Sequence, residues 1–311
     1  MAFQLMANES IAKGIRRIAH GQIDKALDGL TGRGVAAPEG VVHDVRKRLK
    51  RVRAVIRLAR GGLGRRLADR EDTRFRDAGR PLSEVRDAGV LLQAFDDLVK
   101  RYGDQGQPEV ISSAHELLLS RKQEVCRRVL DQRDALAKVA RVMEQARSDV
   151  KRWEVAGDDW DALEGGLKQI YRRGRRAFRE TSEAPTDASL HEWRKRVKDL
   201  WYVMDILKPI RPGYTEGRGE EARRLADHLG DDHDLAVLGQ VLSGSEDMPC
   251  DCASVKVILP LIDRRRADLQ RNAFVLGQRI YSEPTKVFVT RLEAFWKAWT
   301  SEASAAKFDP P

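Results

Sequence analysis

Hydrophobic positions recur at helical spacing along most of the chain, and nowhere do they alternate with the two-residue period of a strand. The clearest segment is Val41–Arg60, VVHDVRKRLKRVRAVIRLAR, which contains neither glycine nor proline. At about 100° per residue, its apolar side chains share one side of a helix. These side chains are Val42, Val45, Leu49, Val52, Val55 and Ile56. The sequence therefore predicts an all-α protein in which this helix buries one face.

Similar periodicity predicts nine further helices. Their expected ranges are 8–30, 65–79, 81–102, 109–147, 161–180, 190–207, 218–242, 254–280 and 284–301. Gly61 and Gly62 are expected to end the 41–60 helix, and Ser189 with Glu192 to form a capping box. The composition changes near mid-chain only at 151–166. We therefore place a domain boundary there, between residues 1–152 and 153–311.

The polar face of the 41–60 helix is almost entirely basic. From residue 43 to residue 60 there are eight Lys or Arg residues and one acid, Asp44. The basic stripe, at offsets of 0, +3, +7, +10 and +14, consists of His43, Arg46, Lys50, Arg53 and Arg57, widened by Lys47 and Arg51. A solvated face normally mixes signs, because like charges at i,i+4 repel by roughly 0.2–0.5 kcal/mol. A plain solvated face is the alternative, but the pattern favours binding of a polyanion.

This basic stripe has a counterpart in the second half of the chain. HDVRKRLKRVR (43–53) and HEWRKRVKDLW (191–201) share H-x-x-R-K-R-x-K at a separation of 148 residues. LSEVRDAGVL (82–91) and LGDDHDLAVL (229–238) match at a separation of 147, which indicates duplication rather than chance. The second copy of the stripe consists of His191, Arg194, Lys195 and Lys198.

The second copy is shorter and less charged than the first, because Trp201 and Asp205 occupy the positions of Arg53 and Arg57. Another basic stripe, on the predicted 161–180 helix, is expected to restore charge beside it. Its members lie at offsets of 0, +3, +4 and +7 and are Arg172, Arg175, Arg176 and Arg179.

Composition excludes several classes of protein. The 311 residues carry a net charge of +9 and a pI near 9.6, which favours acidic partners. Of three cysteines, Cys250 and Cys252 form a lone C-x-C; this is too little for a zinc site and suits reduced thiols. Neither a run of 18 apolar residues nor a signal-peptide pattern is present. We therefore expect a cytoplasmic protein without a membrane span.

These motifs resemble the CHAD family, the conserved histidine α-helical domain. The resemblance rests on H-x-x-R…K…R from His43, on its second copy from His191, and on the R/H-D-x-x-V-L element at Arg86-Asp87 and His233-Asp234. It extends over residues 8–300 or so. The E-x-E-x-K motif of a triphosphate-tunnel domain is missing from the sequence, so the chain resembles the stand-alone form of the family.

The resemblance implies two antiparallel four-helix bundles, one for each repeat, related by a pseudo-twofold axis with a basic groove between them. It also implies binding of inorganic polyphosphate in that groove, often at polyphosphate granules, with no catalysis and no cofactor. The three basic stripes would supply the polyphosphate-binding residues. Sulfate or phosphate ions are expected to occupy the same groove in a crystal.

The stripes suit polyphosphate, which is a flexible chain with one charge per unit and no bases or sugars. Residues one helical turn apart are spaced by about 5 Å along the axis and can meet successive phosphates. Arginine offers a planar fork to phosphate oxygens, and lysine a mobile point charge. His43 and His191 begin their stripes, where they either donate to phosphate or are structural residues bonded within the bundle.

Three other functions are alternatives. The first is a metal-dependent phosphohydrolase, because the chain has two His-Asp dipeptides, His43-Asp44 and His233-Asp234, of the kind that supplies metal ligands in such enzymes. The residues around His43 are basic, however, and disfavour a divalent cation. Basic faces do not distinguish polyphosphate from a nucleic-acid backbone. The few aromatic residues, however, fall mostly on apolar faces, where they cannot stack on bases. The third alternative is a helical scaffold that binds an acidic protein.

Overall fold

The computed structural model describes residues 2–32, 38–102, 108–132, 134–157, 159–244 and 252–305. These residues form twelve α-helices, a π-helical turn at Arg127–Gln132 and a 3-10 turn at Lys208–Ile210. The helices are α1 Ile11–Thr31, α2 Pro38–Leu58, α3 Arg60–Leu63, α4 Arg65–Gly79, α5 Ser83–Tyr102, α6 Pro108–Cys126, α7 Ala135–Val150, α8 Asp161–Glu183, α9 Asp187–Ile206, α10 Pro212–Gly244, α11 Cys252–Ile280 and α12 Thr285–Ala305. No strand occurs among the described residues, which confirms the all-α prediction.

The predicted apolar face of α2 is the buried face of that helix. Its six apolar side chains, from Val42 to Ile56, are each no more than 3% exposed. Their burial against neighbouring helices supplies the main free energy that stabilises α2, since each large aliphatic side chain contributes about 1.5–3 kcal/mol. The basic residues are consequently left on the opposite side of the helix.

Gly61 and Gly62 do not end the helix as predicted. α2 stops at Leu58, and both glycines lie in the short α3. They are there for close packing: a Cβ on Gly62 would lie 2.7 Å from Val155 Cγ1 and 2.8 Å from the Ala156 carbonyl oxygen. The residue that ends α3 is Gly64, whose φ of +74° favours glycine.

The single helix predicted over 109–147 is wrong. The structure has α6, then the π-helical turn, then α7, with Asp134 in the left-handed region at φ 49°. The break lets α7 turn back and pack against α1 and α4. This buries the face of α7 that includes Val139, Met143, Ala146 and Val150. The apolar period continues on both sides of the break, so the pattern alone did not reveal it.

The capping box of α9 lies one turn before the predicted one. Thr186 Oγ1 accepts a hydrogen bond from the Ser189 backbone N–H at 3.1 Å, and Ser189 Oγ accepts one from the Thr186 N–H at 2.9 Å. Ser189 is therefore the N3 residue of the box and not its first residue. Glu192 instead pairs with Arg196 and with Lys195.

The two helices that carry the motif histidines, α2 and α9, pack against each other. α2 also packs against α1, α4, α5 and α8, while α9 packs against α8 and α10. One hydrophobic core extends from Leu5 to Trp296 and includes residues on both sides of the predicted boundary at 152/153. A second cluster joins α5 and α6 to α10 and α11. None of the described helices combines the length and hydrophobicity that a membrane span requires.

At Gly166, α8 approaches the backbone at the end of α2 very closely. A Cβ at this position would lie 2.0 Å from the Leu58 carbonyl oxygen and 2.4 Å from that of Arg57. Because both atoms belong to the backbone, they cannot move aside independently. Any side chain here must push α8 away from the end of α2.

Gly166→Ala is expected to lower the free energy of unfolding by about 2–3 kcal/mol, as overpacking of a close contact does. The matched control is Gly165→Ala, since a Cβ on Gly165 meets nothing within 4 Å. Alanine there should be neutral or slightly stabilising because it favours the helix. Urea denaturation of the two variants measures the difference, and equal stabilities would contradict the packing argument.

Candidate functional site

α2, α5, α9 and α10 surround a cavity of about 480 Å³, here called the central cavity. Six basic side chains line it, three from each half of the chain, together with two histidines and two carboxylates. The basic side chains are Arg46, Lys50, Arg53, Arg194, Lys195 and Lys198. His191, His233, Asp87 and Asp234 complete its polar lining. The structure thus brings seven of the predicted site residues together at one place.

Two arginines with corresponding positions in the motif are fixed at this cavity. Arg46 donates from Nη1 to the Gly79 carbonyl oxygen at 3.0 Å and to Ser83 Oγ at 2.6 Å. Arg194 lies against Gly230, where a Cβ would come within 2.8 Å of its guanidinium. The Nε atoms of both arginines are buried and lack a hydrogen-bond partner among the described residues. Each guanidinium therefore retains unused donors.

The two lysines of the motif, Lys50 and Lys198, have no hydrogen-bond or ion-pair partner in the part of the chain that the structure describes. Desolvation by burial, followed by repulsion from Arg46, Arg194 and Arg86, lowers the pKa of Lys50 to about 8. Desolvation together with the charges of Arg194 and Lys50 lowers the pKa of Lys198 to about 7. Lys50 is exposed at the mouth of the cavity, whereas Lys198 is half-buried, which agrees with the smaller shift in the pKa of Lys50. An anion in the cavity would relieve both effects.

His191 and His233 contact each other at the cavity wall, with ring centroids 4.1 Å apart and ring planes inclined by 39°. Desolvation by burial and, to a smaller extent, the charges of the neighbouring His233 and Lys195 lower the pKa of His191 to about 4. His191 Nδ1 is buried without a partner among the described residues. The first-copy residue, His43, is exposed and does not line this cavity. The two motif histidines therefore have different surroundings.

Asp87 and Asp234 place negative charge in the basic cavity, beside Arg86 and Arg194. Burial raises the pKa of Asp234, and the charges of Arg194, His233 and Arg86 oppose that rise. Burial lowers the pKa of Arg86, although Asp234 and Asp87 oppose this. These mutual effects suit carboxylates that hold the neighbouring arginines in place.

The outer members of the α2 stripe are engaged elsewhere. Arg57 bonds to Asp72, with Nε 2.9 Å from Oδ1, and to Asp199 of α9, and so links the two halves. Arg51 lies over the ring of Phe3, 4.7 Å from its centroid. Lys47 is exposed on the outer surface. None of the three lines the central cavity.

The four arginines of the α8 stripe do not reach the central cavity. Arg176 and Arg179 are exposed and lie 3.5 Å and 3.9 Å from acids of the next helical turn. Arg175 Nε donates to the Tyr281 carbonyl oxygen at 3.3 Å, and Arg172 faces solvent. α8 turns its apolar side to α9, α2, α3 and α12, so its basic side points outward.

A second cavity of about 410 Å³, here called the corner cavity, lies at the turn between α4 and α5. It shares Arg46, Lys50 and Arg53 with the central cavity and adds Arg76 and Arg80. The sequence pattern did not predict those two arginines as site residues. Both basic and acidic residues surround them on α4, so no stripe distinguished them.

A third cavity of about 580 Å³, here called the far cavity, lies between α5, α10 and α11. It shares Val90 and Asp234 with the central cavity. Its lining mixes four basic side chains with three carboxylates: Arg86, Lys100, Arg101 and Arg265 with Asp97, Asp231 and Asp234. Burial raises the pKa of Asp231 to about 6. The far cavity is therefore much less positive than the other two.

No group of three or more potential metal ligands of the His, Cys, Asp and Glu types is found within the described ranges. The Cys250-x-Cys252 pair falls outside the described side chains, so the structure adds nothing to that prediction. The described histidines and carboxylates of the two HD dipeptides thus provide no assembled metal centre.

The helical fold and the convergent basic side chains define an all-α protein with a candidate site for an anionic ligand. The sequence profile of the CHAD domain matches residues 18–243, which is more than half of the chain. The chain therefore belongs to the CHAD domain family, as its motifs indicated. The match is narrower than the expected 8–300 and ends before α11 and α12. No curated protein gave a significant sequence match.

Proposed function

We propose that this protein binds inorganic polyphosphate in the central cavity and does not chemically alter it. Polyphosphate binding is the known role of the CHAD family, whose domain is generally non-catalytic. The observation that carries the proposal for this chain is a pair of lysines in one cavity, Lys50 and Lys198, neither of which has an ion-pair or hydrogen-bond partner among the described residues. Their repulsion costs folding free energy that an anionic ligand would offset.

The proposal extends to an internal duplication of the fold. The packing of α1 on α2, α2 on α4, α5 on α6 and α1 on α7 parallels that of α8 on α9, α9 on α10, α10 on α11 and α8 on α12. Two pseudo-equivalent halves, 1–152 and 153–311, would then present the same residue types from opposite sides. In that arrangement the single helix α10 corresponds to α4 and α5 together. The first half then contains α1 to α7 and the second contains α8 to α12, so neither half consists of only four helices.

The chemistry of the lining suits a linear polyanion. Arginine donors at Arg46 and Arg194 can bind two oxygens of one phosphate, while the mobile lysine ammonium groups follow neighbouring units. Because α2 and α9 each contribute several charges, the ligand would contact both helices at once. A cytoplasmic location at polyphosphate granules is part of this proposal.

The same lining disfavours single-stranded nucleic acid as the preferred ligand. Apart from the two imidazoles, no aromatic side chain is among the described residues that line the central cavity. The stacked aromatic groups, such as Tyr171 with Phe288 and Trp193 with Phe274, lie in the core. Bases would therefore find no exposed stacking surface there.

Titration of the protein with long-chain polyphosphate at several salt concentrations tests the proposal. We expect saturable binding that weakens by at least about tenfold between 50 and 200 mM salt, because bound counterions are released. Duplex DNA or single-stranded RNA at equal phosphate concentration should displace little of it. No binding would overturn the proposal, and equal displacement by nucleic acid would leave only a general affinity for polyanions.

A further inference from the structure

The central cavity shares three basic side chains, Arg46, Lys50 and Arg53, with the corner cavity, and only Val90 and Asp234 with the far cavity. We propose that a long polyphosphate chain leaves the central cavity only through the corner cavity, where Arg76 and Arg80 bind its emerging phosphates. This inference rests on the proposed function and adds a direction and two binding residues to it.

The corner cavity is more positively charged than the far cavity, as an exit for a polyanion through the corner cavity requires. The corner cavity has five basic side chains and one carboxylate, Asp77. The far cavity has four basic side chains and three carboxylates. A polyanion emerging from the centre therefore meets a positive surface at the corner and nearly balanced charge at the far end.

Three side chains form the wall common to the central and corner cavities: Arg46, Lys50 and Arg53. Arg53 donates to Asp72 from Nε at 3.2 Å and from Nη2 at 3.1 Å. A guanidinium has five N–H donors, so three of those of Arg53 remain for a ligand. The shared wall can consequently contact phosphates on both of its sides.

Arg76 and Arg80 are accessible to a ligand. Arg80 is exposed and has no ion-pair partner within the described ranges. Arg76 is paired with its neighbour Asp77, with Nε 2.9 Å from Oδ1, and both side chains are exposed. Such a surface pair contributes little free energy, so phosphate can replace the carboxylate at small cost.

The length of the polyphosphate chain should therefore decide whether Arg76 and Arg80 contribute to binding. Tripolyphosphate can be held within the central cavity, whereas a long chain must extend beyond it. The test compares Arg76→Glu/Arg80→Glu with Lys100→Glu/Arg101→Glu, which makes the same change of charge at exposed residues of the far cavity. Titrations of both variants with tripolyphosphate and with long-chain polyphosphate separate local contact from overall charge.

We expect the corner variant to bind the long chain roughly tenfold more weakly than the far variant, while the two bind tripolyphosphate equally. Circular dichroism and thermal melting check the fold, and Arg76→Gln/Arg80→Gln repeats the test with a smaller perturbation. Equal long-chain affinities of the two variants, or a larger loss in the far variant, would overturn the inference while the proposed function stands. A wild-type protein that binds neither ligand would overturn both.

Discussion

Replacing Lys50 and Lys198 together by methionine is expected to weaken polyphosphate binding by roughly 100- to 10,000-fold, since hydrogen bonds to charged groups contribute about 1.5–3 kcal/mol each. The same double variant should be more stable than the wild type when no ligand is present. Both lysines have lowered pKa values because of partial desolvation and the neighbouring cations, and of the two Lys198 is the less exposed. Methionine preserves the aliphatic stem and removes the unfavourable charge.

Most of the gain in stability should come from the replacement of Lys198, which is the less exposed of the two lysines. Removal of its charge is expected to raise Tm at neutral pH by about 2–4 °C, equivalent to ~1 kcal/mol in a protein of this size class. Affinity and stability then change in opposite directions. A variant that lost its affinity through misfolding would show both falling, so a melting curve and a titration on the same sample distinguish the two explanations.

The matched control is Lys138→Met/Lys168→Met, which removes two exposed lysines outside all three cavities. It makes the same change in composition and net charge. We expect it to bind polyphosphate with less than about threefold change, because remote surface charges are screened at physiological salt. If the cavity variant bound as well as this control, the central cavity would not be the polyphosphate site.

Most of the helices could be predicted from the sequence because apolar periodicity and helix-ending residues are properties of short segments. α4 has the predicted bounds, Arg65–Gly79, since a glycine with positive φ precedes it and a turn follows. The apolar face of α2 is buried as its periodicity indicated. The break between α6 and α7 was missed because the residues around Asp134 contain no glycine or proline to mark it.

The candidate site was less predictable, because a helical pattern identifies a polar face but not its neighbours. The repeated motif did identify residues that meet at the centre, including Arg46 and Arg194. It could not show that Arg57 would pair with Asp72 and with Asp199, which lies 142 positions away. Nor could it show that the arginine stripe of α8 faces away from the cavity. Such tertiary pairings depend on distant parts of the chain and leave no local pattern.

The affinity for long-chain polyphosphate is expected to fall by at least about 100-fold between pH 6 and pH 9, because binding requires charged lysines. In the free protein the pKa of Lys198 is about 7 and that of Lys50 is about 8. Below pH 7 most of the charge is already present, so binding carries little protonation cost. Above each free-state pKa, every further pH unit costs about a factor of ten until the higher pKa of the bound state is reached.

The same linkage predicts that protons are taken up on binding near pH 8. A bound polyanion raises the pKa of both ammonium groups, so lysines that are neutral in the free protein become charged in the complex. Calorimetric titrations in two buffers of different ionisation enthalpy measure this uptake directly. Internal phosphates of a long chain remain ionised throughout this range, so the ligand itself contributes little to the change.

The Lys50→Met/Lys198→Met variant provides the control for the pH profile as well. Its weaker binding should vary little between pH 7 and pH 9, because arginines remain charged there and the pKa of His191, about 4, keeps that ring neutral in the free protein. Proton uptake should disappear with the lysines. An unchanged pH profile in this variant would assign the titration to other groups, and a flat wild-type profile would mean that the lysines are already fully charged before polyphosphate binds.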